Sequence, residues 1–420
     1  MRNSRASLRY LLVSIVLLTI LAVNPFLTIA GAAEAPSGTI TLYYWDENQK
    51  PGMDKVIEMY QQATGVTVET TIIPWAQYWT KLQTSLPSDN GPDVFWCNLP
   101  HAIDYYPAGL VEPIDSYVKR DGVDLTPFPK ALIDMYSYDG KLYGLPKDYD
   151  TIALFYNKAL FDAKGVAYPT DEWTWDDLLK AAQALTDGST YGFLVPQEGQ
   201  SLVYPFVLSN EGTLITPDRT MLNFDNPKTI EAIQWLTDLI NVHKVSPTGA
   251  QFKELTADEH FQAGLAAMTS AGSWMVPPYS DALGDNLGVA RLPISKKQAN
   301  VIHGLSFNIG ANSKNKEAAW GLIKMFATKE AGEAQAQVVI PAYAGADQAW
   351  QNNYPNLNLK VFIDAATYSD VVPACTIAAA AQDDIVATAF ENIWIGGQDV
   401  ATVCKDIDAK AAEAVAAAKK

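Results

Sequence analysis

The sequence predicts an α/β protein built from two lobes. Its length of 420 residues exceeds what one hydrophobic core usually organises, so two cores are expected. Segments with strand periodicity and segments with helix periodicity alternate along the chain, as in mixed α/β proteins. No internal repeat is visible, and the only low-complexity stretch is the Ala/Lys-rich end at 409–420, for which a helix is predicted.

The first hundred residues predict three strands and a helix. The segments 39–45, 66–73 and 92–96 are apolar or alternate between apolar and polar residues, which is typical of strands. Between the first two, the segment 53–65 places its apolar residues on one helical face and ends at a glycine, as helices often do.

Two later helices carry capping signals. Thr174 stands three residues before Asp177, which is the spacing of a capping box and predicts a helix that ends near Gly188. Asn226 and Pro227 predict an N-cap and a first-turn proline for another helix, which continues to about residue 240.

The segment 1–32 predicts a secretory signal peptide. Three arginines precede an apolar run from Tyr10 to Val23, and residues 30–32 are small enough for cleavage,. The apolar run is short for a membrane span, and a retained membrane anchor is the alternative. No cysteine lies near the cleavage position, so we expect a periplasmic protein without a lipid anchor there.

The net charge and the number of cysteines narrow the range of possible functions further. Cleavage after residue 32 would leave 388 residues and remove three arginines and no acidic residue, so the formal charge would change from −17 to −20. A chain this acidic is not expected to bind nucleic acid or anionic membranes. The three cysteines, Cys97, Cys375 and Cys404, are too few for a disulfide scaffold. A disulfide between Cys375 and Cys404 stays open.

The sequence lacks the common catalytic and metal-binding motifs. It has no Gly-x-Ser-x-Gly elbow, no phosphate-binding glycine loop, no His-Glu-x-x-His and no Cys-x-x-Cys,. Its four histidines share no metal-ligand spacing, so neither a metal nor a cofactor is expected. A carboxylate pair for glycoside hydrolysis meets only in space, so the sequence does not decide that activity.

Aromatic residues stand beside polar ones where predicted strands end. Trp45 precedes Asp46 and Asn48, and Trp96 lies just before Asn98. In open α/β sheets, ligands bind beyond the carboxyl ends of the strands. A flat ring offers the C–H face of a sugar an apolar platform, and acidic and amide side chains pair with its hydroxyls. These positions therefore favour a carbohydrate site.

Trp274 has an unusual position at the end of a predicted strand. The apolar run 266–268 predicts a buried strand that breaks at Gly272, and Trp274 follows ahead of two prolines. A ring turned into a cleft needs the backbone to bend, and glycine permits that bend, so we expect Trp274 to face a ligand. By contrast, Trp75 and Trp79 lie one helical turn apart, so at least one of them is expected to pack inward.

Several stretches together resemble a known family. GPDVFWCN, GKLYGLPKDYDTIALFYNKALFD, WTWDDL, AMTSAGSWM and IHGLSFNIGANSKNKEAAW occur in this order. With them the chain resembles the extracellular solute-binding proteins of ABC importers, in the carbohydrate-binding branch that includes maltose-binding protein. The resemblance runs from about Thr39 to the C-terminal helix. It implies the type II periplasmic-binding-protein fold, in which two discontinuous α/β lobes are joined by a hinge that the chain crosses several times.

The resemblance also implies where the chain crosses the hinge. The first crossing is expected near 146–150, the second near 303–308, and the third between Trp350 and Val371. Lobe one would then combine 37–148 with about 306–355. Lobe two would combine about 150–303 with about 360–420.

Ligand positions follow from the resemblance residue by residue. Trp274 matches a stacking tryptophan, and Asp150 matches an acidic hydroxyl acceptor at the hinge, with loop capping as its alternative role. The other implied contacts are Asp46, Asn48, Trp96 and Asn98 in lobe one, Glu198 and Tyr204 in lobe two, and His303 at the second crossing. Trp96 has the alternative of pointing into the sheet, and His303 that of packing in the hinge.

Two segments depart from the family pattern. The segment 195–206 lacks the commoner Gly-Gly and Trp-rich form, which weakens the match of Glu198 and Tyr204. The segment 371–384 has small residues where relatives often place an aromatic. This predicts a wider pocket there or a ligand that does not reach it.

The sequence therefore predicts a monomeric secreted receptor, not an enzyme, that captures a sugar between two hinged lobes and delivers it to the permease of an ABC importer. One alternative is the same fold with an anionic solute such as a phosphate ester. It is disfavoured because only Arg120, Arg219 and Arg291 follow the signal segment, and such a ligand needs arginines or helix N-termini. The second alternative is a secreted carbohydrate-active enzyme.

Overall fold

A computed structural model describes residues 38–375 and 379–418, so the signal-peptide prediction at 1–32 lies outside the described residues. The strands are β1 (Thr39–Tyr44), β2 (Thr67–Ile72), β3 (Val94–Asn98), β4 (Ser137–Tyr138), β5 (Lys141–Leu142), β6 (Gly144–Asp150), β7 (Ile152–Asn157), β8 (Met268–Gly272), β9 (Leu287–Ala290), β10 (Asn300–Ile309), β11 (Ile340–Pro341) and β12 (Ser369–Val371).

The helices fall between and after these strands. They are α1 (Lys50–Thr64), α2 (Trp75–Ser85), α3 (Leu99–Tyr105), α4 (Asp115–Asp121), α5 (Lys130–Met135), α6 (Lys158–Lys164), α7 (Trp175–Leu185), α8 (Tyr204–Ser209), α9 (Pro227–Asn241), α10 (Ala257–Gln262), α11 (Val276–Leu283), α12 (Lys316–Phe326), α13 (Lys329–Gln335), α14 (Asp347–Asn353), α15 (Lys360–Ala365), α16 (Ala379–Trp394) and α17 (Val400–Ala418). Within the described residues, no helix combines the length and apolarity that a membrane span needs.

The capping predictions are confirmed. Thr174 and Asp177 form the reciprocal capping box at the start of α7, and the Asn226 side chain accepts from the backbone N–H of Thr229 at the start of α9. Gly65 ends α1 in the left-handed conformation, with φ of 75°, which glycine adopts without steric cost. The predicted helix at 53–65 begins earlier than expected, at Lys50, because Pro51 occupies its first turn.

The larger sheet has the strand order β11-β6-β10-β3-β1-β2, with β12 paired to the start of β10. β1 is parallel to both β2 and β3, whereas β10 is antiparallel to β3 and β6. The carboxyl ends of β1, β3 and β6 therefore meet the amino end of β10 at one edge. Helices α12 and α13 return to this sheet, where α12 packs on α1 and the Tyr60 hydroxyl donates to Ala318 O at 2.7 Å.

The smaller sheet has the order β8-β7-β9, and both pairings are antiparallel. β7 follows β6 after the single residue Thr151. Gly272, at the end of β8, pairs with Ile152 at the start of β7, and the Ser273 N–H donates to Thr151 O at 3.2 Å. The carboxyl end of β8 therefore lies at the junction of the two sheets.

The described residues include three cysteines. Cys97, Cys375 and Cys404 are buried and none is in a disulfide. The thiol of Cys375 contacts Gln382 Oε1 at 3.2 Å, and burial raises the pKa of Cys404 to about 12. The pairing that the sequence left open is therefore not formed in this structure.

Candidate functional site

Strand pairing brings four of the predicted site residues to one edge of the larger sheet. Asp46 lies just after β1, and Asn98 is the last residue of β3. His303 on β10 pairs with Asp150 on β6. Leu305, two residues beyond His303, pairs with Asn98. The edge that the sequence predicted as a ligand site therefore carries two carboxylates, an amide and an imidazole.

Asp150 connects this edge to the segment that precedes α8. Its Oδ2 lies 3.1 Å from His303 Nδ1, and its Oδ1 accepts from Gln200 Nε2 at 2.7 Å. The carboxylate therefore makes contacts beyond the loop-capping role considered for it. Gln200 was not identified from the sequence, because no motif marks a polar residue in a turn as a partner of a distant carboxylate.

Asn98 and His101 form a second polar unit at the same edge. Asn98 Oδ1 accepts from the His101 backbone N–H at 3.3 Å and lies 2.8 Å from His101 Nδ1. The His101 ring stacks on Trp79, with 3.5 Å between the ring centroids. Burial, together with the charge of His303, lowers the pKa of His101 to about 3. His101 is therefore a neutral imidazole at physiological pH, and its side chain holds the buried Asn98 oxygen.

Trp96 lies inside the larger sheet, which favours its alternative role in the core over a ligand contact. Its indole is completely buried and packs against Tyr44, Trp45 and Phe307. The Lys147 ammonium lies 4.3 Å from the centre of the ring. Since every residue of β3 is buried, Trp96 packs in the core of the larger sheet, which is the alternative that the sequence analysis had kept.

Exposed aromatic surface at this edge comes from α2 instead. The side chain of Trp75 is 51% exposed, and its ring meets Trp45 and Trp79 edge-on at 5.2 and 5.3 Å. Trp79 is partly buried under His101. The prediction that one of the pair Trp75 and Trp79 packs inward is confirmed, and Trp75 provides the free ring face.

Asp46 and Asn48 lie in a short 3₁₀ turn after β1. Asp46 Oδ1 accepts from the Asn48 backbone N–H at 3.0 Å, and its Oδ2 accepts from Gln49 Nε2 at 2.9 Å. Asp46 is partly buried and Asn48 is exposed. Both side chains reach solvent at the edge of the larger sheet.

Trp274 lies in the 3₁₀ turn Ser273–Met275 that follows β8, and its ring is partly exposed. The expected reason for Gly272 is wrong, because its backbone is ordinary extended chain with φ of −80° and ψ of 165°. A Cβ atom at Gly272 would instead lie 1.9 Å from Cζ3 of the indole. Glycine is needed because the Trp274 ring lies directly over its Cα.

Glu198 and Tyr204 flank the π-helical turn Gly199–Val203, and such turns often occur at functional sites. The Tyr204 ring lies over Gly199, where an added Cβ would come within 2.6 Å of Cζ. Burial raises the pKa of Glu198 although the backbone N–H groups of Ser201 and Gln200 stabilise its anion. Burial and the charges of Asp383 and Glu198 raise the pKa of Tyr204.

Two further carboxylates belong to this region, and their role was not predicted from the sequence. Asp104 Oδ2, on α3, accepts from the backbone N–H of Ala379 at 2.8 Å. Asp383 lies one turn further along α16, and its charge acts on Glu198 and Tyr204. Burial raises the pKa of both aspartates. The segment 371–384 was interpreted from its small residues alone, and no local pattern marks Asp383 as a neighbour of Tyr204.

A separate cavity of about 370 Å³ is lined by α3, α5, Arg219 and Val371. None of the candidate site residues lines it. Arg219 donates there to the backbone oxygens of Val372 and Ala374 at 3.4 and 3.1 Å, so we do not assign this cavity a role in the site.

Comparison with known protein families shows to which family this chain belongs. The model of the bacterial extracellular solute-binding protein family matches residues 55–358. The chain belongs to this family. It is 28% identical over 316 residues to the galactooligosaccharide-binding protein of Bacillus subtilis, covering 72% of each chain.

Solved structures of related proteins share the fold. An ABC substrate-binding protein from Listeria monocytogenes in complex with cycloalternan is 25% identical, with a TM-score of 0.84, covering 90% of this chain and 98% of that chain. A solute-binding protein from Thermotoga lettingae bound with α-D-tagatose is 23% identical, with a TM-score of 0.80, covering 90% of this chain and 100% of that chain. The two-lobe type II fold predicted from the sequence is confirmed.

Proposed function

We propose that this family member captures a sugar between its two lobes and delivers it to an ABC-type importer. The observation that carries the proposal is the convergence at the junction of the two sheets. There the Asp150 carboxylate contacts both His303 and Gln200, and β8 ends beside Thr151 and leads into Trp274. Carboxylates and an indole face are the groups that a sugar's hydroxyls and C–H surface require.

The named relatives support this solute class. The Bacillus protein is named for galactooligosaccharides, and the two solved structures hold cycloalternan and tagatose. All three of those ligands are carbohydrates. We infer a carbohydrate for this chain also, with Trp274 as the stacking platform and Asp46, Asn48, Asp150, Glu198 and Tyr204 as hydroxyl partners.

The lobes are proposed with the boundaries expected from the sequence. Lobe one combines 37–148 with about 306–355, and lobe two combines about 150–303 with about 360–420. A solute that contacts Asp46 on one side and Trp274 on the other binds the closed arrangement best, because only closure brings both to it. Differential affinity of this kind shifts the population toward the closed form, which a membrane permease then recognises.

An anionic solute is less well supported. Arg120 pairs with Asp121 and Glu317, and Arg291 lies by Asp171 and Asp364. Since Arg219 donates to backbone oxygens, each of the three arginines in the described residues is engaged outside the candidate site. The carboxylates of the site would repel an anion.

Secretion and a monomeric state complete the proposal. Residues 1–32 are proposed as a cleaved signal peptide, which places the receptor in the periplasm. The family and its structural relatives are binding proteins, and we propose that this chain likewise binds its solute without turnover.

A sugar panel tests the function. The melting temperature is measured with tagatose, maltotriose, mannotriose, a galactooligosaccharide or a phosphate ester added. We expect one or more of the sugars to raise it, because a ligand that binds only the native state stabilises it by mass action. Recovery of the sugar unchanged after prolonged incubation is expected. A shift with the phosphate ester alone, or hydrolysis of the sugar, would contradict the proposal.

A further inference from the structure

A series of side-chain contacts joins the Asp46 carboxylate to β6 and β10. Gln49 Nε2 donates to Asp46 Oδ2 at 2.9 Å, and Lys147 Nζ donates to Gln49 Oε1 at 2.5 Å. Lys147 also pairs with Asp148, whose Oδ1 accepts from the Leu305 backbone N–H at 3.2 Å. The contacts run from the first loop of the site to the two strands that carry Asp150 and His303.

A β-bulge at Lys147 makes this arrangement possible. In the pairing of β6 with β10, Leu305 is opposite Asp148 and Ser306 is opposite Pro146, so Lys147 has no partner residue on β10. Neighbouring side chains of a regular strand point to opposite faces. A bulge bends the strand and redirects a side chain, and here the neighbours Lys147 and Asp148 form an ion pair.

Lys147 is fixed in place by its surroundings. Its side chain is completely buried, and a buried ammonium is costly unless it is paired and hydrogen-bonded. Gln49 and Asp148 supply the acceptors, and the Trp96 ring lies 4.3 Å from Nζ, where a cation is attracted to the ring face. Each alternative position of Lys147 would lose one of these partners, so its position and that of Gln49 are tightly defined.

Asp46 keeps acceptor capacity toward the site. The Asn48 N–H and Gln49 Nε2 each occupy one acceptor position, and an ionised carboxylate has about four. About two therefore remain on the partly exposed edge. Two donors fix the plane of the carboxylate, so these remaining positions point in a defined direction.

We propose that Gln49 and Lys147 are positioning residues for solute binding, which hold the Asp46 carboxylate in one orientation relative to β6. Both are buried, so they act through Asp46 and do not contact the solute. The inference rests on the proposed function, because it assumes that Asp46 receives a solute hydroxyl. An acceptor held in place before binding costs less ordering when the solute arrives.

The substitution Gln49→Glu separates positioning from structure. The new carboxylate still accepts from Lys147, so the buried ammonium keeps its partner and the melting temperature stays within about 2 °C of the wild type. It no longer donates to Asp46 and repels it. Calorimetry with the sugar that gives the largest thermal shift in the wild type is expected to show affinity reduced about tenfold.

The matched control is Gln351→Glu, where Gln351 Nε2 donates to Asp347 Oδ2 at 3.2 Å on α14, outside the site. Its affinity should equal that of the wild type. In an Asp46→Ala background, Gln49→Glu should have no further effect, because a residue that acts only through Asp46 has then lost its target.

Unchanged affinity in Gln49→Glu, or an equal loss with and without Asp46, overturns the inference while the proposed function stands. A wild-type protein that binds none of the sugars contradicts the proposed function, and the inference is overturned with it. These two failures are distinguished before any variant is measured.

Discussion

The two sides of the candidate site are held in different ways. On the edge of the larger sheet, Asp46, Asn98 and Asp150 each accept two contacts from defined donors or ring nitrogens. On the side of the smaller sheet, Trp274 lies over a glycine and Glu198 is held by backbone N–H groups. The first side is a fixed polar frame, and the second is an aromatic and acidic surface with few side-chain partners.

This difference indicates a division of roles. Fixed acceptors select the arrangement of hydroxyls, because a misplaced hydroxyl leaves a buried polar group unpaired. An indole face supplies apolar burial that many sugars can use, so it contributes affinity more than selectivity. We expect substitutions on the smaller-sheet side to lower affinity for all bound sugars, and substitutions on the larger-sheet edge to change which sugar binds best.

The largest expected effect is that of Trp274→Ala. Removal of the platform should lower affinity on the order of 30-fold or more, as for a central aromatic contact, and the melting temperature of the sugar-free protein should change little because the ring is partly exposed. Trp75→Ala on the opposite edge should cost less. Calorimetry checks both, and equal losses would remove the distinction between the two sides.

Gly272→Ala tests the same ring without deleting it. The added methyl group would lie 1.9 Å from the indole, so the side chain must rotate away and affinity should fall about tenfold. Gly188→Ala is the control, since a methyl group there meets open space. If Gly272→Ala binds as tightly as wild type, the ring position described for Trp274 does not matter for the solute.

Asp383→Asn should have the smallest effect, which is a rise in melting temperature whose size depends on pH. Burial raises the pKa of Asp383, so the folded protein binds this proton more tightly than the unfolded chain does. Stability from the protonated group is complete below the ordinary carboxyl pKa and is lost as pH rises through the raised pKa.

The asparagine variant does not lose this stability. Its melting temperature should exceed that of wild type by at most about 1 °C at pH 7, because the side chain is exposed and solvent screens the effect, and it should match that of wild type near pH 3. Asp384→Asn, which makes the same change of net charge one residue further along α16, should show no such gain. A lower melting temperature of Asp383→Asn at pH 7 would contradict the account of this carboxylate.

The sequence predicted features that depend on local chemistry. The capping box at Thr174, the strand ends at Asp46 and Asn98 and the turn at Trp274 follow from patterns of a few residues. The burial of Trp96 does not follow, because strand alternation cannot show that a sheet is covered on both faces. Asp104, Asp383 and Gln200 were missed because they meet the site only through contacts between distant parts of the chain.

Buried residues that support the site could not be predicted from the sequence either. Lys147 would be expected on the surface from its charge, and only the bulge in β6 and the ring of Trp96 explain its burial. The reason for Gly272 was also misjudged, because its role depends on where a side chain two residues later comes to lie.

The most direct test of the central claim is a crystal structure of the protein with the sugar that stabilises it most. We predict that the sugar lies at the junction of the two sheets, with one ring stacked on Trp274 and a hydroxyl donating to Asp150. A sugar bound elsewhere, for example in the cavity beside Arg219, with the junction of the sheets unoccupied, would contradict the account.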